Sequence, residues 1–206
     1  MFIRALAAAA VLLFATVGTN ADPVPEPLSP VVRIDDGCTG FSIGPDPSGI
    51  GSRIVTAGHC ISKFGGFKVE LSDGRVVSGA LVMWSDPRKA DDMAIIQVSV
   101  DIPAVKIDCG PAPIVGTKVH ITGYPGFYGL ATVWGNVAGS AKGFKDAWRD
   151  ALPINVSVAP GYSGAPVMTE DGRVIGILVG GLTANMSLAF ATPAYRLCEL
   201  IGEDWL

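Results

Sequence analysis

Three short stretches carry side chains that could do chemistry together: "TAGHC" at 56–60, "DDMAII" at 91–96 and "APGYSGAPV" at 159–167. In the last, Ser163 lies among glycines and prolines. Pro160 and Pro166 rule out a helix interior and disfavour a central strand, so Ser163 belongs to a tight loop. Such a loop is either a plain turn or a mount for an exposed hydroxyl flanked by backbone N–H groups. A serine hydroxyl is a weak nucleophile at its own pKa. It needs a base within hydrogen-bond reach, usually an imidazole, and the imidazole needs an acid that fixes its tautomer. The chain has two histidines, His59 and His120. His59 ends an apolar run just before Cys60, where a side chain can be held rigidly. His120 alternates with Val119 and Ile121 in a strand pattern, and this assigns it to the surface with no role. Asp91 and Asp92 stand at the mouth of an apolar strand. A carboxylate entering a core needs a partner, and an imidazole N–H is one. A solvated pair of loop aspartates is the other reading.

The elements that would position these residues are strands. From Val31 onward the chain is a series of short apolar runs punctuated by Gly, Asp and Pro: "RIVTAG", "FKVELSDGRVVSGALVMW", "DMAIIQV", "TKVHITGYPG", "ATVWGNVAGS", "LPINVSV", "APVMTEDGRVIGILVGG" and "SLAFATP". "SDGR" at 72–75 and "EDGR" at 170–173 predict hairpin turns, because Asp-Gly tolerates the positive φ these turns need. One helix is predicted near the C-terminus. Thr192 is its expected cap, Pro193 its first residue, "AYRLCELI" its body and Gly202 its stop, with Leu197, Cys198 and Ile201 on one face. The class is all-β, closed by a short C-terminal helix.

Composition bounds the possible partners. The chain has 206 residues, a formal charge of −4 and 17% charged residues, with no basic patch that would suit nucleic acid. Arg4, an apolar run over 5–17 and small residues at Thr19 and Ala21 predict an export leader cleaved after Ala21. The run is short for a membrane span, and no later stretch is long and apolar enough to cross a bilayer. Residues 22–30, "DPVPEPLSP", predict an extended tail. Export makes an even count of cysteines a disulfide signal. Cys38, Cys60, Cys109 and Cys198 allow three pairings, and no CxxC spacing suggests zinc.

"TAGHC", "DDMAII" and "GYSGAP", in that order, resemble the three active-site motifs of trypsin- and chymotrypsin-like serine proteases. The order His, Asp, Ser differs from that of subtilisin-like enzymes and α/β-hydrolases. "GYPG" and the "FATP"-then-helix ending are similar to bacterial secreted members. The resemblance implies two six-stranded antiparallel β-barrels with a site between them, within a domain over 31–206 whose barrels meet near 103–113. No further domain is expected after Leu206. It implies a secreted serine endopeptidase in which His59 is the general base, Asp92 orients it and Ser163 is the nucleophile. Asp91 is one residue out of register. The N–H groups of Gly161 and Ser163 become the oxyanion hole, with Gly164 leaving room beside the nucleophile. Ser157, six residues before the nucleophile, would sit at the base of the specificity pocket, with Leu188 opposite, favouring small or medium apolar side chains. The family commonly bridges the loop beside its histidine, which implies Cys38–Cys60 and leaves Cys109–Cys198. No cofactor or metal is implied, and the partner is a polypeptide substrate of a monomeric, extracellular enzyme. The rival readings are an inactive binding protein on the same fold and an esterase of similar mechanism. Digestive members carry an aspartate before the nucleophile that pairs with a freshly cut N-terminal ammonium. Here that position is Tyr162, so packing around Tyr162 is expected to order the oxyanion loop instead.

Overall fold

The computed structural model describes residues 27–35, 37–61, 66–85, 91–126, 128–139, 151–182 and 185–202. The predicted leader, and the predicted tail up to residue 26, lie outside them. Six strands form a first closed antiparallel barrel: β1 (Val31–Ile34), β2 (Cys38–Pro45), β3 (Ser52–Thr56), β4 (Phe67–Glu70), β5 (Val76–Trp84) and β6 (Ala94–Val98). Their order around the barrel is β1-β2-β3-β6-β5-β4, and β1 pairs with β4 to close it. The second barrel is built from β8 (Lys118–Gly123), β9 (Ala131–Val137), β10 (Leu152–Asn155), β11 (Pro166–Thr169), β12 (Arg173–Leu182) and β13 (Asn185–Pro193). Pairing of β11 with β12 closes it. The connector between the barrels holds β7 (Lys106–Ile107), which runs parallel to β12 along Arg173–Val174. Closure leaves neither barrel with a free sheet edge of its own.

Strand alternation places most of the buried apolar residues in three cores, with a smaller cluster of Ala57, Ala151, Val179 and Phe190 beside them. Ile54, Ile96, Val98 and Val69 fill the first barrel. Val119, Ile121, Leu152, Ile154 and Val167 fill the second. Residues of β3 and β6 on the opposite faces, Val55 and Ile95, join Phe41, Met93, Ile177, Leu197 and Ile201 in a core between the barrels. β3 is buried along its whole length because both its faces are covered. Fully burying each such side chain contributes about 1.5–3 kcal/mol, so the barrels are held against each other by the same force that fills them.

The two Asp-Gly hairpins form as expected, joining β4 to β5 and β11 to β12, with Gly74 and Gly172 at positive φ. The C-terminal helix, α1 (Ala194–Ile201), starts one residue later than the sequence pattern suggests. Thr192 is no cap: it is buried in β13 opposite Ile177, and Pro193 holds the N-cap position without a side-chain bond. Strand pairing continues up to the helix, so the threonine is used in the ladder. Gly202 ends α1 as expected, its N–H donating to the carbonyl of Cys198. Cys109 and Cys198 are bonded, tying the connector to α1, and Cys38 is bonded to Cys60. In a chain-entropy model, closing loops of 22 and 89 residues stabilises by about 3 and about 4–5 kcal/mol.

Candidate active site

Pairing within the first barrel brings His59 and Asp92 together. β3 and β6 are antiparallel neighbours, with Thr56 opposite Ala94. A 3-10 turn, Gly58–Cys60, follows β3, and Asp92 lies two residues before β6. The two side chains therefore leave the same end of the barrel. Asp92 is 2% exposed. One of its oxygens accepts the His59 backbone N–H at 2.7 Å and the other lies 2.6 Å from His59 Nδ1. A carboxylate only accepts, so this contact puts a proton on Nδ1, and in the neutral ring Nε2 then keeps its lone pair. The imidazole itself is exposed. Gly58 is needed for space: a Cβ there would press on Ser85 O, Met93 N and Asp92 Oδ1 at 2.7–3.1 Å. Trp84 Nε1 donates to the Gly58 carbonyl at 2.9 Å and holds the turn from the other side.

Asp91 faces elsewhere. Its carboxylate lies 3.8 Å from the Arg196 guanidinium on α1, so it belongs to the contact between first barrel and helix.

Ser163 reaches the same place from the loop between β10 and β11. Its carbonyl accepts the Thr39 N–H at 2.8 Å, and the Cys60 sulfur, which has no proton in its disulfide, lies 3.8 Å from the same oxygen. The serine backbone thus touches the residue next to His59. Gly161 has φ +105° and Gly164 φ +85°, a region open to glycine at little cost. A Cβ on Gly161 would collide with the Tyr124 carbonyl and Gly126 N. A Cβ on Gly164 would collide with the Thr39 carbonyl and Thr56 Oγ1. Gly164 is therefore small in order to dock on the first barrel, a different reason from the clearance for the nucleophile that its sequence position suggests. The N–H groups of Gly161 and Ser163 donate to no other group among the described residues, whereas Gly164 N–H is spent on the Leu178 carbonyl. Two unspent donors flank Tyr162, which is 3% exposed and packs into the second-barrel core.

Beside Ser163 lies a cavity of about 500 Å³, walled by Val158, Leu178, Leu182 and Leu188 and floored in part by Gly180 and Gly181. Leu188 is among its lining residues. Ser157 does not line it and is exposed. Val156 is drawn into the second core and Val158 packs against that core, so alternation turns Ser157 outward and gives the wall to Val158. His120 is half-buried on the outer face of the second barrel against Trp134, 4.8 Å between ring centroids, and burial lowers its pKa. Cys38, Cys60 and His59 place one ligand-type atom each within 4.8 Å of one another, but the disulfide removes both thiolates. Sequence reasoning did not single out Thr39, which bonds the carbonyls of both Ser163 and Gly161. Its place beside Cys38, the bridge partner of the residue after His59, is the signal that could have found it.

Comparison with known proteins agrees with this architecture. The chain is 31% identical over 174 residues to "Probable periplasmic serine endoprotease DegP-like" of Chlamydia pneumoniae, covering 80% of this chain and 33% of that protein. It is 28% identical over 157 residues to "Periplasmic serine endoprotease DegP" of Escherichia coli, covering 73% and 32%. It thus spans about one third of the length of the curated relatives it matches. The crystal structure of Rv3671c protease from M. tuberculosis in its active form superposes with TM-score 0.69 at 21% identity, covering 93% of this chain and 92% of that one. That likeness speaks to the fold. Residues 38–177 match the trypsin-like peptidase domain. The chain belongs to the trypsin-like peptidase family.

Proposed function

We propose that the chain is a serine endopeptidase acting through an acyl-enzyme. Ser163 Oγ attacks the scissile carbonyl while His59 Nε2 takes its proton. Asp92 holds the imidazole in that tautomer and stabilises the imidazolium. The N–H groups of Gly161 and Ser163 receive the oxyanion. His59 returns the proton to the leaving amine, and water then releases the acyl group by the same route. The observation that carries this reading is the buried Asp92 carboxylate gripping both the backbone and the ring of His59, beside Ser163, with the N–H groups of Gly161 and Ser163 unspent among the described residues. The apolar cavity supports a preference for small or medium apolar side chains before the cleaved bond, with Leu182 and Leu188 limiting size. The predicted leader, and relatives named as periplasmic, support action beyond the cytoplasmic membrane; release to the extracellular medium as a monomer is part of the proposal and rests on the sequence alone. Digestion of a denatured protein, followed by a peptide library, tests the reading. Cleavage after apolar residues, lost in Ser163→Ala, is expected. Turnover of activated esters alone would favour the esterase. A strong preference for Arg or Lys would contradict the cavity assignment.

A further inference from the structure

We propose that Thr39, a first-barrel residue outside the three motifs, is the positioning residue that sets the oxyanion donors. This inference rests on the endopeptidase reading above. Thr39 is fully buried, and every polar group it owns is engaged. Its N–H donates to the Ser163 carbonyl at 2.8 Å. Its carbonyl accepts from Thr56 Oγ1 at 2.7 Å. Its hydroxyl accepts the Tyr124 N–H at 2.9 Å and donates to the Gly161 carbonyl at 2.7 Å. The hydroxyl has no freedom of direction: an amide N–H can only donate and a carbonyl only accept, so its proton must point at Gly161.

The consequence follows from peptide planarity. The Pro160 carbonyl accepts the Gly126 N–H at 2.8 Å. In a trans peptide the Gly161 N–H then points the opposite way, off the 124–126 loop. The Gly161 carbonyl, in the next peptide, is pinned on Thr39. Gly161, at φ +105°, is therefore held on both sides, and rotating either peptide breaks a hydrogen bond, the one to Thr39 being buried. One threonine grips the carbonyls of Gly161, through its side chain, and of Ser163, through its main chain, each in the peptide next after an N–H that is unspent among the described residues. The first barrel thus aligns a site element belonging to the second. An aspartate–ammonium pair is unnecessary where the hydroxyl supplies the anchor.

The test compares Thr39→Val, which keeps the shape and removes the donor, with Thr39→Ser, which restores it. Ser42→Ala is the control, since Ser42 is an equally buried hydroxyl on the same strand whose bond goes to Ile102. For Thr39→Val, kcat is expected to fall by about 10–100-fold, less than the 10²–10³ typical of deleting an oxyanion donor outright, with KM changed by less than about threefold. Thr39→Ser should recover most of kcat, and Ser42→Ala should lose thermal stability without losing kcat. Amide NMR of the same proteins gives a readout independent of turnover: the Gly161 and Ser163 signals should shift or broaden in Thr39→Val and hold in Ser42→Ala. Equal losses of kcat in Thr39→Val and Ser42→Ala, failure of Thr39→Ser to rescue, or unchanged Gly161 and Ser163 signals would overturn the proposal. An inactive wild type whose amides still respond as stated would refute the peptidase reading and leave the anchor standing.

Discussion

At the scale of single residues, adjacent aspartates have different tasks. Asp92 is buried against His59, while Asp91 is partly exposed against Arg196. Asp92→Asn keeps the shape but presents an amide to Nδ1 and favours the wrong tautomer, so kcat should fall by roughly 10⁴. Asp91→Asn should leave kcat within about twofold and cost at most about 1 kcal/mol of stability, as a partly solvated ion pair does. Steady-state kinetics and thermal melts of the two variants check this. A damaging Asp91→Asn beside a harmless Asp92→Asn would reverse the assignment. Gly164→Ala belongs at this scale too. It must hold φ +85° and push into the Thr39 carbonyl. It should destabilise by about 2–4 kcal/mol, strain and overpacking together, which a denaturant titration measures.

At the scale of elements, the β2–β3 connection carries a pH-dependent contact. Asp46 takes hydrogen bonds from Ser48 and from the Arg53 guanidinium, the latter at 2.5 Å, and its pKa is lowered from 3.8 to about 2. A depressed carboxyl pKa stabilises the fold above its unfolded value and loses that contribution as pH falls through the folded one. The melting temperature should therefore drop between about pH 4 and pH 2, and Asp46→Asn should flatten that slope while starting lower at neutral pH. Asp73 and Asp171, also lowered by hydrogen bonds at their hairpins, contribute in the same direction and remain in the variant. An unchanged slope in Asp46→Asn would remove this contact from the account. Asp-Gly turns, the apolar runs of β3 and β6 and the alternation of β8 made the strands and both hairpins legible in the sequence, because these signals are local. The motifs made His59, Asp92 and Ser163 legible as candidates. β7 was not legible: two residues inside a Pro-rich connector become a strand only because β12 lies alongside. Nor was the exposure of Ser157, which depends on which neighbours a distant core draws in, nor Thr39, whose partners lie 85 and 122 positions away in sequence.

At the scale of the whole molecule, the site is assembled across two barrels, each supplying what the other lacks. The first gives His59, Asp92 and Thr39; the second gives Ser163 and the Gly161 loop. Tyr162 is buried in the second core, and burial pushes its phenol above its ordinary pKa, so it brings no charge for an incoming ammonium to meet. A chain starting at Asp22 and the same chain with an added Gly-Ser should be about equally active. Neither should lose activity as an α-amino group deprotonates above its pKa of about 8. If only the trimmed chain worked, and acetylation silenced it, the packing account of Tyr162 would fail. The central claim, that His59 and Asp92 activate Ser163, is tested most directly by fluorophosphonate labelling with mapping of the modified peptide. In that reaction Oγ–P forms as P–F breaks, and fluoride leaves with the hydroxyl proton passing to the base. The account predicts one label per chain, carried by Ser163, absent in Ser163→Ala and slowed by several orders of magnitude in His59→Ala. Unlabelled Ser163 in folded protein, or labelling of Ser163 at the same rate without His59, would contradict it.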